Sequence, residues 1–299
     1  ARSPPGPDHL DPLMPDSGPV HVIGATGRSG LALCRALAGQ GRSFVPVVRD
    51  LSRWQATGIT TPARRADLES DPTALRAALA DATSVVLTAH ARHLPAVLAA
   101  APAHARIVAL GSTRIFTRWP DAHARGVLHG AQAFARSDRD GVLLHPTMIY
   151  GATGEDNVQR LATLMQRLPV LPLPRGGRAR VQPIWQGDVT RALIAALNRP
   201  WAGPHSLVIA GRDQVTYRDF TRMVARAAGL RPRRVLPVPG TVLIALSRLR
   251  LPGLPRITPP EVRRLLEDKI FDIAPMRAQL GFQPRPLEDG LALTFPQPA

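Results

Sequence analysis

The stretch Val20-His-Val-Ile-Gly24-Ala-Thr-Gly27-Arg-Ser-Gly30 decides the fold of this 299-residue chain. A short, mostly apolar strand pattern, residues 20–24, leads into three glycines at regular spacing, and an amphipathic helix pattern follows over residues 30–40. In such a loop the first glycine permits a tight turn, the second lets the backbone approach a diphosphate, and the third allows close helix–strand packing. The helix N-terminus then directs backbone N–H groups at the phosphates. We therefore expect dinucleotide contacts from Gly24, Thr26, Gly27, Arg28, Ser29 and Gly30.

The pattern around this loop predicts an α/β fold, a Rossmann-type doubly wound parallel sheet. Short apolar runs alternate with helical patterns as far as residue 150, which is typical of parallel sheets covered by helices. The predicted strands are residues 43–49, 84–89, 106–111 and 142–145, and the predicted helices are residues 73–79, 93–101 and 122–137.

Three regions follow from the same pattern. Residues 1–19, rich in proline, glycine and aspartate, predict a flexible extension; residues 20–150 predict the dinucleotide-binding domain. Beyond residue 151 proline becomes frequent and capping patterns open two helices, Thr216 with Asp219 and Thr258 with Glu261. Residues 151–299 therefore predict a smaller, mostly helical cap over the carboxyl edge of the sheet. We expect its pocket to be shaped by apolar side chains, namely Met148, Leu171, Leu173, Val242, Ile244 and Leu246.

Composition limits the classes of function. The net charge of +16 suits anionic partners, yet the arginines are scattered along the chain rather than gathered in one tract, so we expect no specific nucleic-acid binding. A single cysteine, Cys34, excludes an internal disulfide and any multi-cysteine metal site, and it favours a reducing, cytoplasmic setting. His90 and His93 have no evident third ligand nearby, so no metal site is predicted. No apolar run is long enough to cross a membrane, and the first 19 residues lack the apolar core of a secretory signal.

The end of the second strand bears on the choice of dinucleotide. An acidic residue there would bind a ribose 2′-hydroxyl, whereas an arginine would accept a 2′-phosphate. Arg49 and Asp50 place both options side by side, and Arg28 in the glycine loop could flank the same phosphate. Two guanidinium groups outweigh one carboxylate, so NADP(H) is favoured and NAD(H) stays open.

Several further motifs resemble the extended and atypical short-chain dehydrogenases/reductases, in particular the NAD(P)-binding epimerase/dehydratase-like branch near the NADPH-binding accessory subunit of respiratory complex I. These motifs are Ala66-Asp-Leu68, Val85–Ala89, Gly111-Ser-Thr113, His145–Gly151, Pro183–Val189, Leu280–Pro284 and Leu287–Gly290. The resemblance implies that Asp67 and Leu68 face the adenine. It also implies that the cofactor is lined, toward the nicotinamide, by Thr88, Ala89, His90, Ser112, Pro146, Thr147 and Met148.

The sequence departs from that family at the catalytic pair. Active members use a tyrosine with a lysine four residues later, but the one lysine here is Lys269 and the two tyrosines are Tyr150 and Tyr217. By alignment the pair falls near Asp121 and Arg125, which with Ser112 are the positional candidates for catalysis. An ionised aspartate is a poor proton donor.

Three hypotheses follow. The first is an NADP(H)-binding protein with weak, altered or no turnover, acting as an accessory or regulatory protein, with a protein partner or larger complex left open. The second is an active NADPH-dependent reductase or epimerase-like enzyme with a non-standard proton donor, for which His123 and His129 are candidates. The third is a nucleic-acid or regulator-binding module. The apolar pattern over residues 242–249 also leaves open a peripheral contact with a membrane, such as the inner membrane.

Overall fold

The computed structural model describes residues 18–151, 157–248 and 258–295. Of the predicted flexible extension, residues 1–17 lie outside the described residues. The strands within the described ranges are β1 (Val20–Ile23), β2 (Phe44–Val48), β3 (Arg64–Arg65), β4 (Ser84–Leu87), β5 (Arg106–Leu110), β6 (Gly141–Pro146), β7 (Ile149–Tyr150), β8 (Val170–Pro174), β9 (Arg180–Val181), β10 (Ile184–Trp185), β11 (Pro204–Ile209), β12 (Val215–Thr216) and β13 (Arg234–Val238).

The helices connect these strands. They are α1 (Arg28–Gly39), α2 (Leu51–Gln55), α3 (Pro72–Ala78), α4 (Leu94–Ala100), α5 (Ala122–Ala135), α6 (Asn157–Arg167), α7 (Gln186–Asn198), α8 (Tyr217–Ala227), α9 (Gly240–Leu246), α10 (Pro259–Arg264), α11 (Ala274–Leu280) and α12 (Leu287–Thr294). Short 3-10 helices also follow β4, β5 and β8.

The central sheet has seven strands in the order β11-β6-β5-β4-β1-β2-β3, and its strand pairs are all parallel. The order reverses between β1 and β4, where Val20 pairs with both Phe44 and Ser84. Ligands of such sheets bind at this switch point, beyond the carboxyl ends of the strands. The predicted doubly wound α/β fold is confirmed.

Helices cover both faces of the sheet because the strand side chains alternate and are apolar on both sides. On one face Val20 and Val22 pack with residues of α1 and α7, and on the other Ile23 packs with residues of α3, α4 and α5. Cys34 lies buried in α1, as a small core residue, and burial raises the pKa of its thiol to about 12.

Part of the chain after residue 151 belongs to the central sheet and its helices. Following residue 151, α7 packs on α1 and β11 pairs with β6, so both belong to the central sheet and the helix layer on one of its faces. Helix α11 also packs on the central sheet, whereas α6, β8, α8 and α12 contribute to a cap whose own core includes Tyr150, Leu161 and Phe220. The division at residue 151 therefore does not coincide with the layers of the structure.

Side-chain caps start several helices where the sequence indicates them. Asp71 Oδ1 accepts the N–H of Ala74 at 2.8 Å, and Thr216 Oγ1 accepts that of Asp219 at 3.1 Å. Glu261 Oε2 accepts the N–H of Thr258 at 2.6 Å, as a capping box requires. These capping side chains fix the starts of α3, α8 and α10.

Candidate functional site

The glycine loop lies at the carboxyl end of β1 and opens α1. Gly24 has a positive φ of 82°, and a Cβ atom there would lie 2.8 Å from the backbone nitrogen of Ala89. The N–H of Gly27 donates to Gly24 O at 2.8 Å, and no side chain caps α1. Thr88 Oγ1 donates to Ile23 O at 2.9 Å, which fixes the end of β4 against the loop. This geometry leaves the positive end of the α1 dipole available to a phosphate.

One large cavity of about 1320 Å³ runs from this loop into the cap. Pockets for a single small ligand usually have volumes of about 300–1,000 Å³, so the volume suits a dinucleotide together with a second molecule. Among the predicted cofactor contacts, those that line the cavity are Gly27, Arg28, Ser29, Thr88, Ala89, His90, Ser112, Pro146, Thr147 and Met148. Gly24, Thr26 and Gly30 shape the loop behind this wall.

At the end of β2 the two competing side chains have different positions. Asp50 Oδ1 accepts the N–H of Arg53 at 3.1 Å and so caps α2. Arg49 is exposed and lies outside the cavity wall, whereas Arg53, which sequence reasoning missed, lines the cavity together with Arg28. The turn of α2 that follows the strand carries Arg53 there, and the Asp50 cap is the sequence signal that could have found it.

The predicted adenine contacts lie beyond the cavity wall. Asp67 Oδ1 accepts the N–H groups of Glu69 at 2.9 Å and Ser70 at 3.4 Å. These hydrogen bonds, with some help from the charge of Arg49, hold the pKa of Asp67 below its usual value. Leu68 is half-buried against the core beside α3. Their role toward adenine stays a prediction.

Ser112 and His145 form a linked pair at the ends of β5 and β6. The Ser112 N–H donates to His145 Nδ1 at 3.3 Å, and His145 Nε2 lies 3.0 Å from Ser206 Oγ. His145 is only 1 % exposed, and burial lowers its pKa to about 4. Ser112 Oγ accepts the N–H of Arg114 at 3.2 Å, which leaves its own proton for another acceptor. His145 is thus a neutral structural bridge.

Asp121 and Arg125, the positional counterparts of the family's tyrosine and lysine, lie outside the cavity wall. Asp121 Oδ1 caps α5 by accepting the N–H of Ala124 at 2.8 Å, and Oδ2 lies 3.3 Å from Arg264 Nη1. Exposed Arg125 donates to Pro120 O at 3.1 Å. Both side chains therefore have structural roles at the start of α5, and Asp121 also pairs with Arg264 of the cavity wall.

Two histidines, His90 and His123, line the cavity beside the start of α5. The rings of His90 and His123 meet edge to face with centroids 4.2 Å apart. A Cβ on Gly126 would lie 2.9 Å from His90, so the absent side chain makes room for the ring. Burial, followed by the charge of Arg114, lowers the pKa of His123 to about 4. His123 is neutral near pH 7, which makes it a poor proton donor; His129 is exposed and outside the wall.

Other cavity residues, among them Gln186, Lys269 and Tyr217, were not predicted as site residues. Gln186 Oε1 accepts a hydrogen bond from Ser29 Oγ at 3.0 Å, which joins the start of α7 to the glycine loop. Lys269 lines the cavity and pairs with Glu267, and Tyr217 lines the cap end, where burial raises its pKa to about 12. Their sequence positions, far from the glycine loop, carry no local signal of this placement. In the parts of the chain that the structure describes, no three histidine, cysteine or acidic side chains are grouped to hold a metal ion.

No model of a known protein family matches the sequence, and no curated protein matches it. Solved structures do match. The NADPH-dependent quinone oxidoreductase of Escherichia coli, complexed with NADPH, is 18% identical, with a TM-score of 0.73 over 91% of this chain and 98% of that one. The Citrobacter sp. triphenylmethane reductase complexed with NADP(H) is 14% identical, with a TM-score of 0.71 over 93% and 100%.

A Bacillus cereus UDP-glucuronic acid 4-epimerase, in complex with UDP-glucuronic acid and NAD, is 17% identical, with a TM-score of 0.68 over 93% and 98%. The chain has the fold of the short-chain dehydrogenase/reductase-type, epimerase/dehydratase-like proteins. The resemblance expected from the glycine loop is thereby confirmed at the level of fold. Across the described ranges, no helix has both the length and the apolar character needed to cross a membrane.

Proposed function

We propose that this chain binds NADP(H) and is an oxidoreductase-type protein with weak or no turnover, serving an accessory or regulatory role. The observation that carries the proposal is the placement of Asp121 and Arg125, whose side chains lie outside the cavity wall and bind backbone groups at the start of α5. The glycine loop has a geometry that suits a diphosphate, whereas the sequence holds no tyrosine followed four residues later by a lysine.

The cofactor would be held by the loop around Gly27, with Ser29 fixed through Gln186. Arg28 and Arg53 line the same end of the cavity, where guanidinium groups suit a 2′-phosphate. The nearby carboxylate of Asp50 caps α2, which supports NADP(H) over NAD(H). A bound NADPH would supply a hydride.

Beside the nicotinamide position, Ser112 can donate one hydrogen bond to an oxygen on which negative charge develops, because its Oγ already accepts from Arg114. A serine hydroxyl can stabilise such an oxygen but does not readily give up its proton. Proton delivery then falls to water, so carbonyls that need concerted protonation should react slowly.

A second candidate function is an active reductase of the same fold, and the volume of the cavity beyond the cofactor end favours it. His123 lies in the wall, and with its lowered pKa of about 4 it would act as an acid only in acidic solution. Such an enzyme should gain activity as the pH falls toward 4.

The test is a titration of the purified chain with NADPH and NADH, followed by thermal unfolding and by NADPH oxidation across aldehydes, ketones and quinones. At a hundredfold excess over Kd, NADPH should raise the Tm by about 5 °C, with a smaller effect of NADH. Slow or absent oxidation supports the accessory role, whereas rapid oxidation supports the second candidate. If neither dinucleotide changes the Tm, both candidate functions are wrong.

A further inference from the structure

The half of the cavity inside the cap is walled by aliphatic side chains. Leu164 of α6 and Leu168, which directly follows that helix, lie one turn apart and both line the cavity, as do Leu171 and Leu173 of β8. Leu243 of α9 and Leu265, the C-cap residue of α10, complete the wall. These six residues, which we call the leucine wall, lie in or directly beside four separate elements.

Charged groups at this end of the cavity are largely neutralised by one another. Arg160 lies 3.0 Å from Glu261, and Lys269 pairs with Glu267. Asp121 Oδ2 lies 3.3 Å from Arg264 Nη1 and 3.8 Å from Arg114 Nη1.

Among the described residues, four basic side chains thus pair with three carboxylates, which leaves one net positive charge. One positive charge can balance a single anionic head group, but not a diphosphate that carries two negative charges. The charges at this end therefore disfavour a nucleoside diphosphate sugar.

The cavity opens beside an apolar helix. Leu246 lines the cavity and is also 47% exposed, and Val242, one turn earlier on α9, is 45% exposed. None of the residues of α9 is fully buried. A hydrocarbon ligand can therefore reach the leucine wall along apolar side chains.

We propose that the leucine wall binds a long-chain aliphatic compound with a single polar head of at most one negative charge, and that nucleoside diphosphate sugars are excluded. The inference rests on the proposed function only in that the ligand would share the cavity with NADP(H). Moving the methylene groups of the ligand from water to the leucine side chains is favourable in free energy. A sugar diphosphate would instead lose its hydration here.

The test is a fluorescence titration of the full chain with cis-parinaric acid, a fluorescent long-chain acid, with and without NADPH. The expected result is saturable one-to-one binding that excess UDP-glucose does not displace. Leu164→Gln should weaken binding roughly tenfold, since it replaces part of the buried apolar contact with an amide. Leu293→Gln is the matched control, because that leucine is 55% exposed and outside the wall.

If Leu164→Gln does not fold, Leu243→Trp, whose larger side chain would occupy part of the cap half of the cavity, should weaken binding. Absence of saturable binding, equal binding by the wall variants and the control, or displacement by UDP-glucose would overturn the inference. Parinaric acid binding in a chain that does not bind NADPH would instead overturn the proposed function and leave this inference standing.

Discussion

A Cβ atom on Gly30 would overlap the carbonyl oxygen of Gly24 and lie 2.6 Å from Thr88 Oγ1. The third glycine of the loop is therefore needed for packing, since the helix, the turn and β4 meet at this point. Without that close approach, α1 could not direct its N-terminus at a diphosphate.

Gly30→Ala should weaken NADPH binding at least tenfold and lower stability, because the backbone of the loop must move to admit the methyl group. Isothermal titration and thermal unfolding measure the two effects. Gly39→Ala is the control on the same helix, since a Cβ there meets nothing within 4 Å. The control should keep the affinity and gain up to about 1 kcal/mol of stability; equal losses in both variants would contradict the packing argument.

Arg53→Glu should reduce NADPH affinity by about tenfold or more and leave NADH affinity nearly unchanged, because only NADPH carries the 2′-phosphate. Arg49→Glu should act in the same direction but more weakly, since Arg49 lies outside the cavity wall. Arg35→Glu, an exposed position on α1, controls for the change in net charge. A similar loss for both dinucleotides would remove the argument for NADP(H).

Acid should destabilise the fold through His145. Its pKa is about 4 in the folded chain and near 6.5 when unfolded, so the neutral form is favoured by folding. The contribution is complete above pH 6.5 and is lost as the pH falls through 4, up to about 3 kcal/mol. Denaturant unfolding at a series of pH values measures it.

His145→Gln should flatten part of that pH dependence, because the amide does not titrate and can replace both hydrogen bonds, to the Ser112 N–H and to Ser206. His129→Gln, at an exposed site, should leave the profile unchanged. If the two variants gave the same profile as the unmodified chain, burial of His145 would not be the cause.

Asp121→Asn should change NADPH affinity and any turnover by less than about twofold, because asparagine caps a helix as well as aspartate does. Asp121→Ala should lower stability by about 1 kcal/mol through loss of the cap. A hundredfold fall in kcat for the asparagine variant would show instead that Asp121 acts as an acid or base. Steady-state kinetics and unfolding on both variants separate these roles.

The sequence by itself determined the features that depend on neighbouring residues. The spacing of Gly24, Gly27 and Gly30 after an apolar strand determined the glycine loop between β1 and α1, and the alternation of apolar runs determined the parallel sheet. The missing tyrosine–lysine pair is also evident from composition, since Lys269 is the one lysine. These are local patterns, because turn geometry and helix periodicity are set within a few residues.

Only the tertiary structure decided which distant side chains share the cavity. It returned β11 and α7 to the central sheet, brought Arg53 rather than Arg49 into the cavity wall, and placed Lys269 and Tyr217 in the same wall. These placements follow from packing between elements far apart in the chain, where burial of apolar surface fixes the arrangement and leaves no local periodic trace.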